Sequence, residues 1–519
     1  MFRQQNTSMA IGKQFHSVAL GIRKKLHTEL EIDMTSSCSK YPKAANPMID
    51  DPPGTTKSAG SGRVAPALPG TDWIRMKAEI DACLYGPGGE VSERARAKDL
   101  GRLYLDLLDA EGRKRFFQLL ATQYDIDRTA LAKTIAGWNE LSQRPEYGEG
   151  HIDGLHLAAE EALRKGLTPP RRLLLARFNG LPEGVKFLVD MRAELIPLAR
   201  KDPVLKGLDD DLKALLAGWF DVGFLELECI TWDAPASLLE KLAAYEAVHA
   251  VISWSDIKNR LAPPDRRCYA YFHPQMSSEP LIFVWVALVK GISGNVRALL
   301  DTKRQYIRDP ADADTAIFYS ISNAQTGLAG ISFGNFLIKR VVEDLANHYR
   351  HIKTFATLSP IPGFRGWLAE RIAEEGDGLL ETDELQAISS VASESQAGEI
   401  RNPVRGAQAL AALCDRKGWH QRPEIARILR GPLVRLCARY LTKAKRGKHA
   451  RNRVAHFHLS NGARMERINW LGDTSRKGLE DSAGMMINYL YKSDDIETNH
   501  EAYTGAGSIA TSDEFGKNP

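Results

Sequence analysis

Three glycines, Gly327, Gly330 and Gly334, punctuate the stretch from Gln325 to Asn335, between a β-branched run and an apolar run of helical period. A backbone that comes close to a pyrophosphate has no room for Cβ atoms. Amides at a helix N-terminus also present the positive end of the helix dipole. The spacing therefore suits a phosphate-cradling turn. No Gly-Lys-Ser/Thr follows, so it is not a P-loop, and it is not the dinucleotide turn G-x-G-x-x-G. A structural turn with incidental glycines is the competing reading. His456 and His458 alternate in Ala455-His-Phe-His-Leu459, which reads as a strand and would put both imidazoles on one face. The six cysteines (Cys38, Cys83, Cys229, Cys268, Cys414, Cys437) include no C-x-x-C pair, and their spacing fits no zinc site. The densest positive run, Lys443 to Arg451, reads either as an attractor of phosphates or as a solvated loop. It lacks the interleaved aromatics of a single-strand nucleic-acid surface.

The elements that would position these residues are set by periodicity. Thr315–Ser322 reads as the strand entering the turn. The helix leaving it carries Leu337, Val341 and Leu345 on one face, with Ile338 and Val342 beside them. Arg267–His273, Leu281–Val289, Arg464–Trp470 and Met485–Tyr491 also read as strands. Helical segments at Pro235–His249, Ser293–Asp301 and Phe336–His348 alternate with the earlier ones, as in an α/β layer. Residues 365–447 return to helix. Upstream, from Trp73 to about Phe220, the pattern is helical nearly throughout, as in Phe116, Leu119, Leu120 and Tyr124. Breaks fall at Tyr147–Gly150, Pro169-Pro170 and Asn179–Pro182. The Ser-, Pro- and Gly-rich residues 34–70 carry no core of their own. Four segments result: a disordered extension over 1–70, a helical domain over 71–222, a mixed domain over 223–493 and a disordered tail over 494–519.

Composition narrows the class. A chain of 519 residues suggests two to four domains at roughly 100–200 residues each. A net charge of +4 gives no global pull toward nucleic acid or a membrane surface. The longest apolar run, Leu281 to Val289, is far short of the ~20 residues of a spanning helix. Scattered thiols point to a reducing, cytoplasmic compartment. The first 28 residues contain no acid and carry Arg3, Lys13, Arg23, Lys24 and Lys25, which loosely resembles a transit peptide. A disordered tail, or a start codon upstream of Met9 or Met34, is the reading adopted.

Five motifs occur in order: Glu279-Pro-Leu-Ile-Phe-Val-Trp-Val-Ala-Leu288, Phe318-Tyr-Ser-Ile-Ser322, Phe336-Leu-Ile-Lys-Arg-Val-Val342, Thr357-Leu-Ser-Pro-Ile-Pro-Gly-Phe364 and Ala455-His-Phe-His-Leu-Ser-Asn-Gly-Ala463. The last continues into Arg467-Ile-Asn-Trp470. Together they closely resemble malonyl-CoA decarboxylase, from about Leu167 to Tyr491. The turn itself is similar to the pyrophosphate turn of acetyl-CoA-dependent N-acyltransferases. The resemblance implies an α+β protein: an all-helical N-terminal domain used in homo-oligomerisation, then an α/β catalytic domain of the acyl-CoA N-acyltransferase (GNAT-like) fold with inserted helices. It implies catalysis by Ser359 and His458. It implies CoA binding by Ala329, Gly330, Ile331, Ser332, Phe333, Gly334 and Asn335, with Ser320 near the malonyl carboxylate. Ser332 stands where animal members carry a glutamate, which puts an acidic role there in doubt and leaves backbone phosphate binding untouched.

The implied chemistry suits these residue types. Loss of carbon dioxide from malonyl-CoA leaves a thioester enolate. The thioester is its own electron sink, so no metal or organic cofactor is expected. The site must hold the carboxylate, stabilise the enolate oxygen and protonate carbon. Ser359, in a rigid Ser-Pro loop, is expected to orient the carboxylate. His458 is expected to deliver the proton. A serine hydrolase would need an acidic third member and a G-x-S-x-G elbow, and neither is identifiable. The alternatives are an acyl-CoA-dependent acyltransferase and a non-catalytic CoA-sensing regulator.

Overall fold

The structure is a computed structural model that describes residues 64–143, 154–303, 307–331, 334–394 and 406–515. Helical periodicity upstream of Phe220 is matched by helices at Trp73–Tyr85 (α1), Glu90–Arg102 (α2), Ala110–Gln123 (α3), Arg128–Ser142 (α4), Gly154–Gly166 (α5), Pro170–Phe178 (α6), Gly184–Ala199 (α7) and Lys206–Trp219 (α8). Phe116, Leu119, Leu120 and Tyr124 are buried as one face of α3 and its C-cap. Pro170 opens α6 at a position whose amide has no intrahelical partner in any case. The break at Tyr147–Gly150 and most of the N-terminal extension lie outside the described residues. Within the extension's expected span, Val64 and Leu68 are buried, and the Ala65 amide donates to Asp72 Oδ2 at 2.8 Å.

These helices and the turn segment Gln325–Ile331 form one compact unit. Inside it, Arg192 of α7 is buried and paired with Asp209. Its Nη1 donates to the carbonyls of Gly327 at 2.6 Å and Ala329 at 3.0 Å. A Cβ on Gly327 would stand 1.8 Å from the Val189 carbonyl oxygen. Gly330 has φ +77°, a backbone state open to glycine. The first glycine of the turn is therefore explained by close packing on α7, a reason distinct from phosphate approach.

The second unit is built on an eight-stranded sheet. Its strands are Glu226–Ile230 (β1), Arg266–Phe272 (β2), Ile282–Val289 (β3), Thr315–Asn323 (β4), Thr354–Thr357 (β5), Ser359–Pro360 (β6), Arg464–Asn469 (β9) and Met486–Tyr491 (β10), while β7 and β8 (Lys445–Arg446 and His449–Ala450) pair separately. The order is β1-β2-β3-β4-β5-β10-β6, with β9 also on β10. All pairings are antiparallel except β4 with β5. Of the helices expected beside the early strands, two are present as Ala236–Tyr245 (α9) and Val296–Leu300 (α11), and Trp254–Leu261 (α10) is a further helix that the sequence reading did not include. The parallel pair needs a crossover, and the helix Gly334–His348 (α12) supplies it. Ile338, Val341, Val342 and Leu345 form its buried face. One side of the sheet carries a core of Phe283, Trp285, Ile317, Tyr319, Ala356, Leu358 and Met486.

Two expectations are corrected. Residues 455–459 are not a strand: they lie in a helix, Arg453–Ser460, whose N-cap Asn452 accepts the Ala455 amide at 2.8 Å. An asparagine at that position stops the backbone from continuing extended and starts a helix. The segment expected to be a disordered tail contains a helix, Ile496–Ala506, with Tyr503 buried. The basic run explains its docking. Lys445 Nζ donates to the Gly507 carbonyl at 3.1 Å and Lys448 Nζ to that of Gly505 at 3.0 Å, where the helix dipole is negative. The Ala450 amide donates to Tyr503 Oη at 2.9 Å. Arg451 forks onto Glu370.

Gly327→Ala is expected to destabilise the helical unit by about 2 kcal/mol through overpacking against the Val189 carbonyl. A lowered urea midpoint in an equilibrium unfolding curve reads this out.

Candidate active site

The site forms where a strand breaks. β5 ends at Thr357, Leu358 donates its amide to the Phe318 carbonyl at 3.0 Å, and β6 resumes at Ser359. β10 spans both pieces, pairing Leu490 with Ala356 and Ile487 with Ser359. Across the gap, side chains replace the ladder. Asn488 Nδ2 donates to the Thr357 carbonyl at 2.7 Å, and the Tyr489 amide donates to Thr357 Oγ1 at 3.1 Å. Leu358 enters the core cluster, so Thr357 and Ser359 face the other side of the sheet. Pro360 and Pro362 stiffen the exit, and Gly363 permits the turn after it at φ +81°.

Ser359 and His458, 99 positions apart, are brought together with Ser359 Oγ 3.0 Å from His458 Nε2. The connection runs through Asn452. Its Oδ1 caps the His458 helix, and its Nδ2 donates to the Pro362 carbonyl at 2.8 Å, tying that helix to the serine loop. Tyr440 Oη donates to the same carbonyl at 3.0 Å. His458 Nδ1 lies 2.8 Å from Tyr491 Oη, and Tyr489 stacks on the imidazole at 4.4 Å between centroids. Ser359 Oγ lies 2.9 Å from Thr357 Oγ1. Thr357, Ser359, His458 and Tyr491 are all buried. Burial pushes the His458 pKa down to about 3 and holds the Tyr491 phenol well above its usual value. The resting imidazole is thus neutral, and Tyr491 is a neutral hydroxyl.

His456 belongs elsewhere. Residues two apart on a helix point in different directions, and His456 Nδ1 meets Tyr503 Oη at 2.9 Å. The helix separates the two histidines that a strand would have put side by side.

Ser320 does not join Ser359 and His458. A β-bulge between Trp285/Ser320 and Val286/Phe318 shifts the register and turns Ser320 to the core face. There it bonds to Glu246 Oε1 at 2.7 Å. Glu246 is fully enclosed, and it also accepts Trp285 Nε1 at 2.8 Å and the amides of Val248 and His249. A buried carboxylate with four donors is a structural anchor.

Of the turn residues, Ala329, Gly330 and Ile331 lie in the loop held by Arg192, and Gly334 and Asn335 open α12. Ser332 and Phe333 lie outside the described residues. Tyr491 also lines a cavity of about 540 Å³ with Lys353, Phe355, Glu466, Leu490 and Lys492. A larger cavity of about 910 Å³, lined by Arg439, Lys443, Lys445 and Phe515 among others, shares no residue with the Ser359–His458 cluster.

Sequence reasoning missed Thr357, Asn452, Tyr489 and Tyr491. Asn452 had a legible signal: an N-cap residue directly before an apolar-periodic run. The tyrosines had none beyond their strand, because only the helix assignment reveals what reaches them.

Burial at these positions has measurable effects on stability. Ser320→Ala is expected to lower unfolding free energy by about 2 kcal/mol through the lost bond to Glu246, measured by urea unfolding. For His458, the unfolded chain binds a proton near pH 6.5 and the folded chain does not until about 3. Stability from this residue is therefore full above pH 6.5 and is lost as pH falls toward 3. His458→Asn should show a flatter acid limb than wild type when denaturation is repeated at pH steps across that window.

The family described as malonyl-CoA decarboxylase C-terminal domain matches residues 223–518, and its N-terminal domain matches 124–220. A relative from Anser anser anser named "Malonyl-CoA decarboxylase, mitochondrial" is 38% identical over 82% of this chain and 85% of its own. The Rattus norvegicus protein of the same name is 34% identical over 89% and 91%. A crystal structure of malonyl-CoA decarboxylase from Rhodopseudomonas palustris superposes with a TM-score of 0.74 at 38% identity, covering 86% of this chain and 99% of that one. Another, from Agrobacterium vitis, gives 0.71 at 36%, covering 85% and 98%. With both family domains in order and the relatives matched over most of their length, this chain belongs to the malonyl-CoA decarboxylase family.

Proposed function

We propose that this enzyme converts malonyl-CoA to acetyl-CoA and carbon dioxide through a thioester enolate, with Ser359, His458 and Tyr491 as the proton relay. The observation that carries the mechanism is the buried hydroxyl–imidazole–hydroxyl line, with contacts of 3.0 and 2.8 Å. Ser359 first donates to the malonyl carboxylate and orients it. Carbon–carbon cleavage releases carbon dioxide and leaves the electron pair delocalised onto the thioester oxygen. The carbanion carbon then takes the Ser359 hydroxyl proton. Ser359 recovers a proton from His458 Nε2, and His458 recovers one at Nδ1 from the Tyr491 hydroxyl, which is replenished by water. No standing imidazolium is needed, which accords with the depressed pKa of His458. The thioester supplies the electron sink, so the proposal includes neither a metal nor an organic cofactor.

The CoA pyrophosphate is assigned to the α12 N-terminus, where Gly334 and Asn335 begin the helix. A glycine-rich turn between a strand and the helix leading to its parallel neighbour supports a GNAT-like reading of the sheet. Homo-oligomerisation through the helical unit is supported by its exposed Ile74, Tyr85 and Val91. Unpaired Cys83, Cys268, Cys414 and Cys437, all buried, support a reducing compartment, taken here as the cytoplasm. Among the described residues no helix is long and apolar enough to cross a membrane.

Purified protein given malonyl-CoA alone should form acetyl-CoA and carbon dioxide with no acceptor present. Ser359→Ala and His458→Asn should each lower kcat about 100-fold or more, and Tyr491→Phe about tenfold. Undiminished turnover by both of the first two variants would remove the assignment.

A further inference from the structure

We infer that Lys213, together with the Gly330 amide, binds a phosphate group of the CoA moiety. The inference deepens the proposed function and rests on it. Both residues belong to the helical unit, Lys213 on α8 and Gly330 in the turn segment.

The helix offers Lys213 two acids to pair with, and both are taken. Asp209 and Asp210 stand four and three positions earlier, where a helical ion pair would form. Asp209 is held by the buried Arg192 at 2.9 Å, and Asp210 by Lys206. Among the described residues Lys213 makes no ion pair and no hydrogen bond, yet it is half-buried rather than extended into solvent. Its side chain lies against the turn: a Cβ built on Gly330 would stand 3.3 Å from Lys213 Nζ and 3.5 Å from Cε. The stem is packed and the charge is unspent.

The turn adds a second free donor at the same place. Its carbonyls from Gln325 to Ala329 each already accept a hydrogen bond. Those of Gln325, Thr326 and Leu328 take the amides of Leu328, Ala329 and Ile331, and those of Gly327 and Ala329 take Arg192. Gly330 is exposed, and its amide has no acceptor among the described residues. An ammonium and an amide, both without an acceptor, thus meet at one glycine. Its φ of +77° and missing Cβ keep the approach open. Oxygens that would repel an anion are occupied, and donors that would hold one are free. A phosphate suits this pair, because its oxygens accept several hydrogen bonds and its charge matches a lysine point charge. CoA carries phosphate in two places, the pyrophosphate and the 3′-phosphate.

The test measures KM for malonyl-CoA with full-length wild type, Lys213→Met and Lys213→Arg at low and high salt. Lys213→Met should raise KM about tenfold, the size of one charge-assisted contact, and Lys213→Arg should recover most of that loss. Because the lost interaction is between charges, KM should climb with salt in wild type and much less in Lys213→Met. An unchanged KM in Lys213→Met overturns the inference. So does a raised KM whose salt dependence matches wild type, which would mark Lys213 as structural. Should Lys213→Met not fold, Lys213→Gln carries the same comparison. Malonyl-3′-dephospho-CoA separates the two phosphates. A variant penalty that persists with it assigns the lysine to the pyrophosphate, and one that vanishes assigns it to the 3′-phosphate. Wild-type protein that fails to turn over malonyl-CoA would overturn the proposed function itself. Normal wild-type turnover with an unaffected Lys213→Met variant removes only the role of the lysine.

Discussion

A neutral imidazole sealed from water must have both nitrogens partnered by the protein, and much of the second unit depends on that constraint. His458 meets it with two hydroxyls, one on either side, supplied by strands that are not neighbours in sequence. Ser359 arrives from the resumed end of a broken strand, and Tyr491 from the strand that bridges the break. The helix bearing His458 must then be held against both. Asn452 does this with one amide group: its oxygen starts the helix, and its nitrogen clasps the loop after Ser359. Loss of that side chain would leave the Ala455 amide without its acceptor and cut the direct tie between the helix and the serine loop.

How much of this was visible in the sequence depended on whether a residue acts through its own neighbourhood. The helical stretch before Phe220, the strands β2, β3, β4, β9 and β10, and the crossover helix all declared themselves through apolar period. Ser359 and His458 were legible only because two motifs resembled those of a known family. Alone, each was an ordinary serine–proline turn and an ordinary histidine. The alternation Ala-His-Phe-His-Leu read as a strand, and the N-cap asparagine three residues before it was the overlooked signal. Ser320 lies apart from Ser359 and His458 for a different reason. A single extra residue at Tyr319 reverses the face presented by the residues beyond it, and no pattern of residue types announces such a bulge. Gly327 was assigned to phosphate approach, yet a carbonyl of α7 already excludes a Cβ there.

The basic run from Lys443 to Arg451 shows how charge is absorbed when a local pattern meets its tertiary partner. Two lysines close the negative end of the last helix, and Arg451 is satisfied by Glu370. The same hairpin that carries them hands its Ala450 amide to Tyr503. A charge cluster that looked available for a ligand is thus largely engaged in anchoring the helix Ile496–Ala506 behind the helix that carries His458.

That anchoring has a consequence for the order in which the protein is made. Ser359 and His458 leave the ribosome well before Tyr503, whose hydroxyl braces the outer face of the His458 helix through His456. An eight-residue helix has little persistence by itself. During synthesis the brace from Tyr503 is therefore added after His458 has emerged, and the outer face of its helix is covered only when the helix Ile496–Ala506 docks. Translation from N- to C-terminus makes that docking a late step in fixing the helix that carries the imidazole.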